Sequence, residues 1–339
     1  MAERRFKVAV VGATGAVGEA MLSILAARRF PASEVIALAS GRSAGGSVDF
    51  GDDELLVHEL SAFDPAGVDI ALFAAGGDVS KEHAPRFAAA GAVVIDNSSA
   101  FRQDQDVPLV VAEVNPDAAA QRPRGIIANP NCSTMQMVVA LAPIHRAVGI
   151  ERINVATYQS VSGAGRSALE ELGRQTGALL NFQGAAPERF PVQIAFNLIP
   201  HIDDFQDNGY TREEMKLVWE TRRILGDDSI QVNPTAVRVP VFYGHSEAVH
   251  IETREKIDAA TARRLLEAAP GVTVVDERKA GGYPTPVTHA SGSDAVFVGR
   301  IREDLSHPRG LDLWIVSDNI RKGAALNAVQ VAELVARSA

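Results

Sequence analysis

The sequence predicts an α/β protein: an N-terminal Rossmann-like doubly wound parallel sheet, followed by a second, α+β domain with a mostly antiparallel sheet. Three observations support this prediction. Short apolar strands alternate with helices over the first 130 residues. A glycine-rich turn joins the first strand to the first helix, and longer strands with polar alternation follow Pro130. A chain of 339 residues also has the length of two domains.

The first 130 residues begin with a buried strand. Val8–Val11 is a charge-free, β-branched run, typical of a strand covered on both faces. Strand–helix alternation then implies a parallel sheet. The further strands expected here are Val35–Ala39, Ile70–Ala75, Ala92–Asp96, Leu109–Ala112 and Gly125–Ala128, and a helix is expected over Ser80–Ala90.

Beyond Pro130 the pattern changes. An almost uninterrupted apolar stretch from Met135 to Ile144 predicts a buried helix. The strands expected in one mostly antiparallel sheet are Ile153–Tyr158, Thr235–Val241, Ala248–Thr253, Ala295–Ile301 and Leu311–Ser317. The helices expected are Ser167–Leu180, Thr211–Leu225, Thr261–Ala269 and, capped by Asp318 or Asn319, the segment to Arg337.

Composition excludes several classes of protein. Lys and Arg number 33 against 42 Asp and Glu, a net charge of −9, which argues against nucleic-acid and anionic-membrane binding. The single cysteine excludes an intrachain disulfide and a zinc site of paired cysteines, and no metal is expected. Gly125–His145 lacks charge but contains prolines and amides, so it is a poor membrane span. Val8–Val11 is too short for a signal peptide, so we expect a cytoplasmic protein.

The glycine-rich turn points to a dinucleotide. Gly12, Gly15 and Gly18 lie directly between a strand and a helix, where glycines permit a tight turn and close approach of a pyrophosphate. The alternative is a plain strand–helix turn. The second strand ends in Ser40, Arg42 and Ser43 without a carboxylate, which favours the 2′-phosphate of NADP over NAD. Alternatively, Arg42 is an ordinary surface arginine.

The single cysteine is the candidate nucleophile. Cys132 follows a strand end at the expected start of a helix, whose N-terminus favours a thiolate. A small buried hydrophobe is the alternative. A thiol and a nicotinamide together suggest oxidation of an aldehyde through a thioester. Such chemistry needs an acid or base, and His245, at a turn between two strands, is the candidate. A structural histidine is the alternative.

These residues also carry a family resemblance. The chain resembles aspartate-semialdehyde dehydrogenase along nearly its whole length. The matching landmarks are Val11–Gly18, Asp96–Arg102, Asn129–Thr134, Gln159–Gly165, Asn197–Pro200, Glu213–Lys216 and Arg238–Val241 with His245. The resemblance implies NADPH-dependent reductive dephosphorylation of L-4-aspartyl phosphate to L-aspartate 4-semialdehyde.

The resemblance also implies roles for individual residues. Catalysis falls to Cys132 as nucleophile, Gln159 as the group that orients the substrate, and His245 as proton shuttle. Substrate binding falls to Arg238 for the α-carboxylate, Glu213 for the amino group, and Arg102 and Lys216 with Asn131 for the phosphate. Cofactor binding falls to Gly12, Thr14, Gly15, Ala16, Val17, Gly18, Ser40, Arg42, Ser43, Gly76, Ser162, Gly163 and Asn319.

The expected domain division follows. Residues 1–130 and 319–339 form an NADP-binding domain, and residues 131–318 form a catalytic and dimerisation domain. The family is homodimeric and sometimes tetrameric, with a small-molecule substrate and phosphate as ligands.

Three competing interpretations remain. N-acetyl-glutamyl-phosphate reductase shares the thiol–histidine chemistry, but its acylated substrate has no need of Glu213 as an ammonium partner. A short-chain dehydrogenase is disfavoured because none of the four tyrosines is followed by lysine four residues later. A non-catalytic nucleotide-binding homologue would be indicated by loss of the cysteine, and Cys132 is present.

Overall fold

The computed structural model describes residues 4–338. The strands are β1 Phe6–Val11, β2 Ala32–Ala39, β3 Ser47–Phe50, β4 Asp53–Glu59, β5 Ile70–Phe73, β6 Val93–Asp96, β7 Ile126–Ala128, β8 Ile150–Gln159, β9 Gln231–Arg238, β10 His245–Thr253, β11 Val272–Val274, β12 Val296–Glu303 and β13 Gly310–Ser317. The helices are α1 Ala16–Ala27, α2 Gly77–Ala89, α3 Cys132–Val148, α4 Arg166–Leu180, α5 Arg212–Leu225, α6 Ala259–Glu267 and α7 Leu326–Arg337.

The chain divides into two compact units. The first comprises residues up to Pro130 together with the segment from Ala324, and the second comprises Asn131–Gly323. The prediction placed residues 319–323 in the first unit, whereas the structure places them in the second. The physical reason lies in Asn319, whose side chain is hydrogen-bonded to Ser160, Ser162 and Gly244 of the second unit.

The first unit is built on a seven-stranded sheet in the order β3-β4-β2-β1-β5-β6-β7. All neighbouring pairs are parallel except β3 and β4. Apolar side chains of β1, α1 and α7 share one core, in which Val10, Leu22 and Val329 are fully buried. The predicted doubly wound parallel sheet is therefore confirmed.

Two local predictions in this unit were incomplete. Leu109–Ala112 makes only an isolated bridge between Leu109 and Ala128, because a strand needs a longer run of paired backbone. The antiparallel hairpin of β3 and β4 was not predicted. Its polar composition, with Asp49, Asp53 and Glu54 exposed, gives little apolar alternation to detect.

The second unit is built on a six-stranded sheet in the order β11-β12-β13-β10-β8-β9. Three neighbouring pairs are antiparallel, and the pairs β8–β9 and β11–β12 are parallel. Helix α3 packs against β8, β10, β12 and β13. Its apolar residues are buried, as the sequence predicted. The mostly antiparallel second sheet is thus confirmed.

The last helix begins later than predicted. An irregular turn over Arg321–Ala325 precedes α7, which starts at Leu326. Asp318 caps the preceding turn, because its Oδ1 accepts the backbone N–H of Ile320 and of Arg321. Over residues 4–338 no helix is long and apolar enough to cross a membrane. The same residues hold no cluster of three or more His, Cys, Asp or Glu side chains suited to a metal ion.

Candidate active site

The thiol lies at the first position of a helix. Asn131 caps α3 by accepting the backbone N–H groups of Ser133 and Thr134 at 3.0 and 3.2 Å. Cys132 follows it and is half-buried. The helix N-terminus presents N–H groups and the positive end of the helix dipole, so it favours a negative charge on sulfur. The residue is therefore accessible and electrostatically placed for nucleophilic chemistry.

Gly323 packs closely against Cys132. A Cβ built on Gly323 would lie 2.8 Å from the Cβ of Cys132 and 3.3 Å from its Cα. Real Cβ atoms do not approach so closely, so only glycine leaves the cysteine where it is. The sequence prediction missed Gly323, because nothing in a single sequence reports contact between residues 191 positions apart.

A buried carboxylate lies beside the cap. Glu213, in the first turn of α5, accepts hydrogen bonds from Asn131 Nδ2 at 2.9 Å and Gln159 Nε2 at 3.2 Å on one oxygen. Lys216 Nζ donates to the other oxygen at 2.9 Å. Burial alone raises the pKa of Glu213, but the charge of Lys216 and these three donors lower it to about 2. The carboxylate is therefore ionised throughout the physiological range.

Lys216 is shared between two carboxylates. Its Nζ also donates to Asp203 Oδ2 at 2.8 Å. Burial lowers the pKa of Lys216, but the charges and hydrogen bonds of Glu213 and Asp203 raise it overall. Asp203 was not predicted as a site residue. Its positive φ of 68° is unusual for a non-glycine residue, and the sequence carries no signal for it.

Two neighbouring parallel strands position the next two site residues. Gln159 and Arg238 lie opposite each other at the carboxyl ends of β8 and β9. Arg238 is almost fully buried and its Nη1 donates to the carbonyl of Ser160 at 2.7 Å. Burial lowers the pKa of Arg238, while the charges of Glu213 and Cys132 oppose this shift. The guanidinium thus shares one electrostatic environment with the thiol and the carboxylate.

His245 begins β10 and is fully buried. Its Nδ1 accepts the backbone N–H of Ser160 at 3.1 Å. Its Nε2 makes no hydrogen bond to any residue from 4 to 338. Burial and the charge of Arg238 lower the pKa of His245 to about 3, with Glu213 and the Gly244 backbone opposing. His245 is therefore a neutral imidazole at neutral pH.

A small loop completes the histidine side. Gly163 lies against both Arg238 and His245, since a Cβ there would be 3.1 Å from Arg238 Nη1 and 3.3 Å from His245 Nε2. Asn319 Oδ1 accepts from Ser160 Oγ, Ser162 Oγ and the Gly244 N–H at 3.0 to 3.1 Å. The predicted cofactor residues Ser162, Gly163 and Asn319 are thus part of the support of His245.

The second unit therefore brings seven predicted residues into one connected site: Asn131, Cys132, Gln159, Glu213, Lys216, Arg238 and His245. Ser160 and Glu220 were missed. Glu220 accepts the backbone N–H of Asn131 at 2.6 Å and so anchors the cap. A glutamate on a helix of mixed polarity gives no sequence signal for such a role.

The remaining predicted residues belong to the first unit. Gly12 has a φ of +82°, and a Cβ on it would lie 3.0 Å from the Ala74–Ala75 peptide. A Cβ on Gly18 would lie 2.1 Å from the Gly12 carbonyl oxygen. Both positions need glycine, which makes the turn before α1 a tight cradle.

The other members of this group lie around the carboxyl ends of the parallel strands. Gly15 is the N-cap of α1, which begins with Ala16 and Val17, and Gly76 is the N-cap of α2. Thr14 Oγ1 donates to Ser43 Oγ at 3.4 Å, and Ser40 and Arg42 are exposed.

Arg102 lies near the end of β6 in the first unit. It is almost fully buried, and its Nη2 donates to the carbonyl of Asn97 at 2.9 Å. Asp96 orders the loop between them by accepting from Ser80 and Ser98. Burial raises the pKa of Asp96, with the two serines opposing.

Both units match known families. Residues 7–122 match the family described as semialdehyde dehydrogenase, NAD binding domain. Residues 141–322 match the family described as semialdehyde dehydrogenase, dimerisation domain.

Relatives match over the whole length. Aspartate-semialdehyde dehydrogenase of Legionella pneumophila is 62% identical over 337 residues, covering 98% of this chain and 96% of the relative. A crystal structure of aspartate semialdehyde dehydrogenase II complexed with ASA, from Vibrio cholerae, has a TM-score of 0.97 at 57% identity and covers 99% of each chain. The enzyme of Candida albicans with NADP has a TM-score of 0.77 at 26% identity, covering 98% of each chain. This chain therefore belongs to the aspartate-semialdehyde dehydrogenase family.

Proposed function

We propose that the chain catalyses NADPH-dependent reductive dephosphorylation of L-4-aspartyl phosphate to L-aspartate 4-semialdehyde. The step belongs to the biosynthesis of lysine and diaminopimelate, threonine, methionine and isoleucine. One observation carries the proposal: the single thiol starts helix α3 in a cluster that also holds an ionised carboxylate, a buried guanidinium and a neutral imidazole. The high identity to relatives of this name supports it.

Cys132 is the proposed nucleophile. Its sulfur attacks the acyl carbon of the substrate, the bond from that carbon to the phosphate oxygen breaks, and a thioester remains on the enzyme. The helix N-terminus and the neighbouring Arg238 both favour the thiolate that this attack requires. When NADPH is bound, it supplies the hydride that reduces the thioester.

Charge complementarity supports the proposed substrate contacts. Arg238 has guanidinium donors beyond the one used on Ser160, and a bidentate fork suits the α-carboxylate. Glu213 has three donors in place, so a carboxylate with about four acceptor sites can take one more from the substrate ammonium. Gln159 bonds Glu213 and Thr157 and is thereby held in position to orient the substrate.

The phosphate is assigned to Lys216 and Arg102, with Asn131 as a further contact. Lys216 is held as a cation by two carboxylates, which suits an anion-binding role. Asn131 already uses its oxygen on α3 and one amide hydrogen on Glu213. Its other amide hydrogen is the donor left for phosphate.

NADP is the proposed cofactor, and the first unit fits it. The Gly12–Gly18 turn leaves no room for a Cβ at two positions, which suits a pyrophosphate at the start of α1. Arg42, Ser40 and Ser43 follow β2, where the adenosine ribose is held in such folds, and we assign them the 2′-phosphate. Replacing Arg42 by Ala should raise the KM for NADP about tenfold and leave the KM for NAD unchanged.

The second domain is proposed to form a homodimer or tetramer, in line with the matched dimerisation family. A cytoplasmic location is proposed because the only cysteine is offered as a reactive thiol, which a reducing compartment preserves. Light scattering coupled to size-exclusion chromatography measures the oligomer directly.

The decisive experiment follows NADPH formation at pH 8 to 9 with aspartate semialdehyde, NADP and phosphate. Parallel reactions omit phosphate, replace NADP by NAD, or use N-acetyl-glutamate semialdehyde. Phosphate-dependent turnover of the aspartyl aldehyde is the expected result. Turnover of only the acetylated aldehyde would move the assignment to N-acetyl-glutamyl-phosphate reductase, and binding of NADP without turnover would indicate a non-catalytic homologue.

A further inference from the structure

The chain between α4 and α5 runs past Arg238 and is joined to the site at two points. Ile199 exchanges two backbone hydrogen bonds with Arg238, at 3.0 and 2.8 Å, along the edge of β9. Asp203, further along, accepts from Lys216 Nζ at 2.8 Å. Because β9 is the last strand of its sheet, this part of the chain takes the place of a further strand beside Arg238.

The first half of the same segment is held by buried side chains of α4. The carboxylate of Glu171 accepts the backbone N–H groups of Glu188 and Arg189, and it is only 2% exposed. Gln175 Oε1, also buried, accepts the backbone N–H of Ile194 at 3.0 Å. The backbone that carries Arg189 is therefore fixed at this place in the fold.

Phe190 joins this position to the loop beside Arg238. Its half-buried side chain packs against the apolar cluster to which Val161 belongs. Val161 begins the short turn that contains Gly163, and Gly163 lies against Arg238 Nη1. The packing thus brings the backbone of Arg189 to the same side of the site as Arg238.

The two arginines differ in exposure and in pairing. Burial lowers the pKa of Arg238, and the nearby positive charge of Arg189 lowers it further. The Arg189 side chain is exposed and makes no ion pair or hydrogen bond with any residue from 4 to 338. The adjacent carboxylate of Glu188 is paired with Arg174 instead, at 2.9 Å. Two neighbouring cations repel each other, and an anion bound beside them relieves that repulsion.

We propose that Arg189 is a second cation for the α-carboxylate of the substrate, which it draws in from solvent and passes to Arg238. This assignment rests on the proposed function, in which Arg238 binds that carboxylate. Arg238 is almost fully buried, whereas Arg189 is exposed and meets an incoming anion first. Attraction by an exposed charge speeds association and is weakened by salt. Arg189 therefore favours substrates that carry a carboxylate, through KM and not through the chemical step.

The first test needs no turnover, so its outcome is separate from that of the proposed function. Cys132 of the full-length protein is alkylated at low ionic strength by iodoacetate, which carries a carboxylate, and by neutral iodoacetamide. In both reactions the S–C bond forms and iodide leaves, so the ratio of the two rates cancels any change in the thiolate fraction. The ratio of iodoacetate to iodoacetamide should fall about threefold in Arg189→Ala, fall further in Arg189→Glu, and stay near the wild-type value in Arg189→Lys. Equal ratios in the wild type and Arg189→Glu would overturn the proposal.

Arg174→Ala is the matched control for this test. It removes one exposed positive charge and one contact of the same segment, the ion pair with Glu188. It therefore controls both for net charge and for loosening of the chain around Arg189. Its rate ratio should equal that of the wild type. A fall as large as that of Arg189→Ala would show a general effect of charge and would contradict a specific role of Arg189.

The second test uses turnover of aspartate semialdehyde with NADP and phosphate. Arg189→Ala should raise the KM for the aldehyde about three- to tenfold and leave kcat within about twofold. The KM values for NADP and phosphate should stay unchanged, and high salt should narrow the difference between the variant and the wild type. A lowered kcat with an unchanged KM, or a rise in the KM for phosphate alone, would show that Arg189 does not serve the carboxylate. Absence of turnover in the wild type would refute the proposed function, while the alkylation ratio would still report the charge at Arg189.

Discussion

Two buried groups of the second unit differ in charge: one is ionised and the other is neutral. Glu213 is enclosed by α5 and α3 and stays ionised, with a pKa of about 2. His245 is enclosed at the start of β10 and stays neutral, with a pKa of about 3. Burial opposes charge on both, so it does not explain the difference. The neighbours do: Glu213 receives a lysine and two amide donors, whereas His245 lies near the positive charge of Arg238.

The comparison shows that this site separates its functions by hydrogen-bond partners. The carboxylate side holds Glu213 ionised with three donors in place, which suits a charged, fixed ligand. The imidazole side keeps one ring nitrogen, Nε2 of His245, buried and without a hydrogen-bond partner among residues 4–338. Two kinds of variant test this separation of functions. The first removes the thiol, and the others alter one side of the site at a time.

The largest effect is expected at the thiol. Cys132→Ala should lower turnover by about 10⁴-fold or more, because no other group on either side can form the thioester. The melting temperature and the affinity for NADP should be unchanged, because the Cys132 side chain is only half-buried. Activity assays, circular dichroism and NADP titration measure the three. A variant that fails to fold would instead support a cysteine kept for packing.

Glu213→Gln breaks the charged side alone. The side-chain amide of the introduced glutamine has an NH₂ group that must face either Lys216 or the donors Asn131 and Gln159, so two donors oppose each other. We therefore expect the free energy of unfolding to fall by about 3 kcal/mol. The KM for the aldehyde should rise. Urea titration and steady-state kinetics report these values. Glu34→Gln, in the exposed pair with Lys7, is the control and should cost less than about 1 kcal/mol. Equal losses of unfolding free energy in the two variants would show that the buried hydrogen bonds of Glu213 contribute no more than an exposed ion pair.

Gly323→Ala adds a methyl group against Cys132 and leaves Glu213 and Arg238 unchanged. The added methyl overlaps Cys132 and should lower kcat about tenfold or more, at a stability cost of about 1–3 kcal/mol. The rate of alkylation of the cysteine should fall with kcat. Gly177→Ala, inside α4 with open space around it, is the control and should stabilise the protein by about 0.5–1 kcal/mol.

The smallest effect is the pH dependence of stability. His245 binds a proton more weakly in the folded than in the unfolded protein. Its neutral form therefore contributes fully to the free energy of unfolding above pH 6.5, and this contribution is lost as the pH falls toward 3. Glu213 contributes fully above pH 4.5 and loses its contribution as the pH falls toward 2. Between pH 6.5 and 4.5 the wild type should lose up to about 1.4 kcal/mol per pH unit more than His245→Gln. Parallel slopes in urea titrations across that window would exclude a buried neutral His245.

The sequence supported most of the fold, for identifiable reasons. The charge-free run of β1 and the glycines before α1 are local signals, and they predicted the parallel sheet correctly. The polar hairpin of β3 and β4 has weak alternation and was missed. The start of α7 was placed too early because Asp318 and Asn319 resemble caps, whereas Asn319 is engaged by Ser160, Ser162 and Gly244.

The sequence by itself also determined the composition of the site: one thiol, its helix-start context, and motifs shared with a family. Those features are local, since a cap and a glycine turn act within a few residues. Only the tertiary structure decided how the groups are charged and supported. Glu213 stays ionised against burial because Lys216, Asn131 and Gln159 lower its pKa, and His245 is neutral because burial and the charge of Arg238 lower its pKa. Gly323 is required because it meets Cys132 across 190 residues of chain, and such long-range contacts arise only from packing.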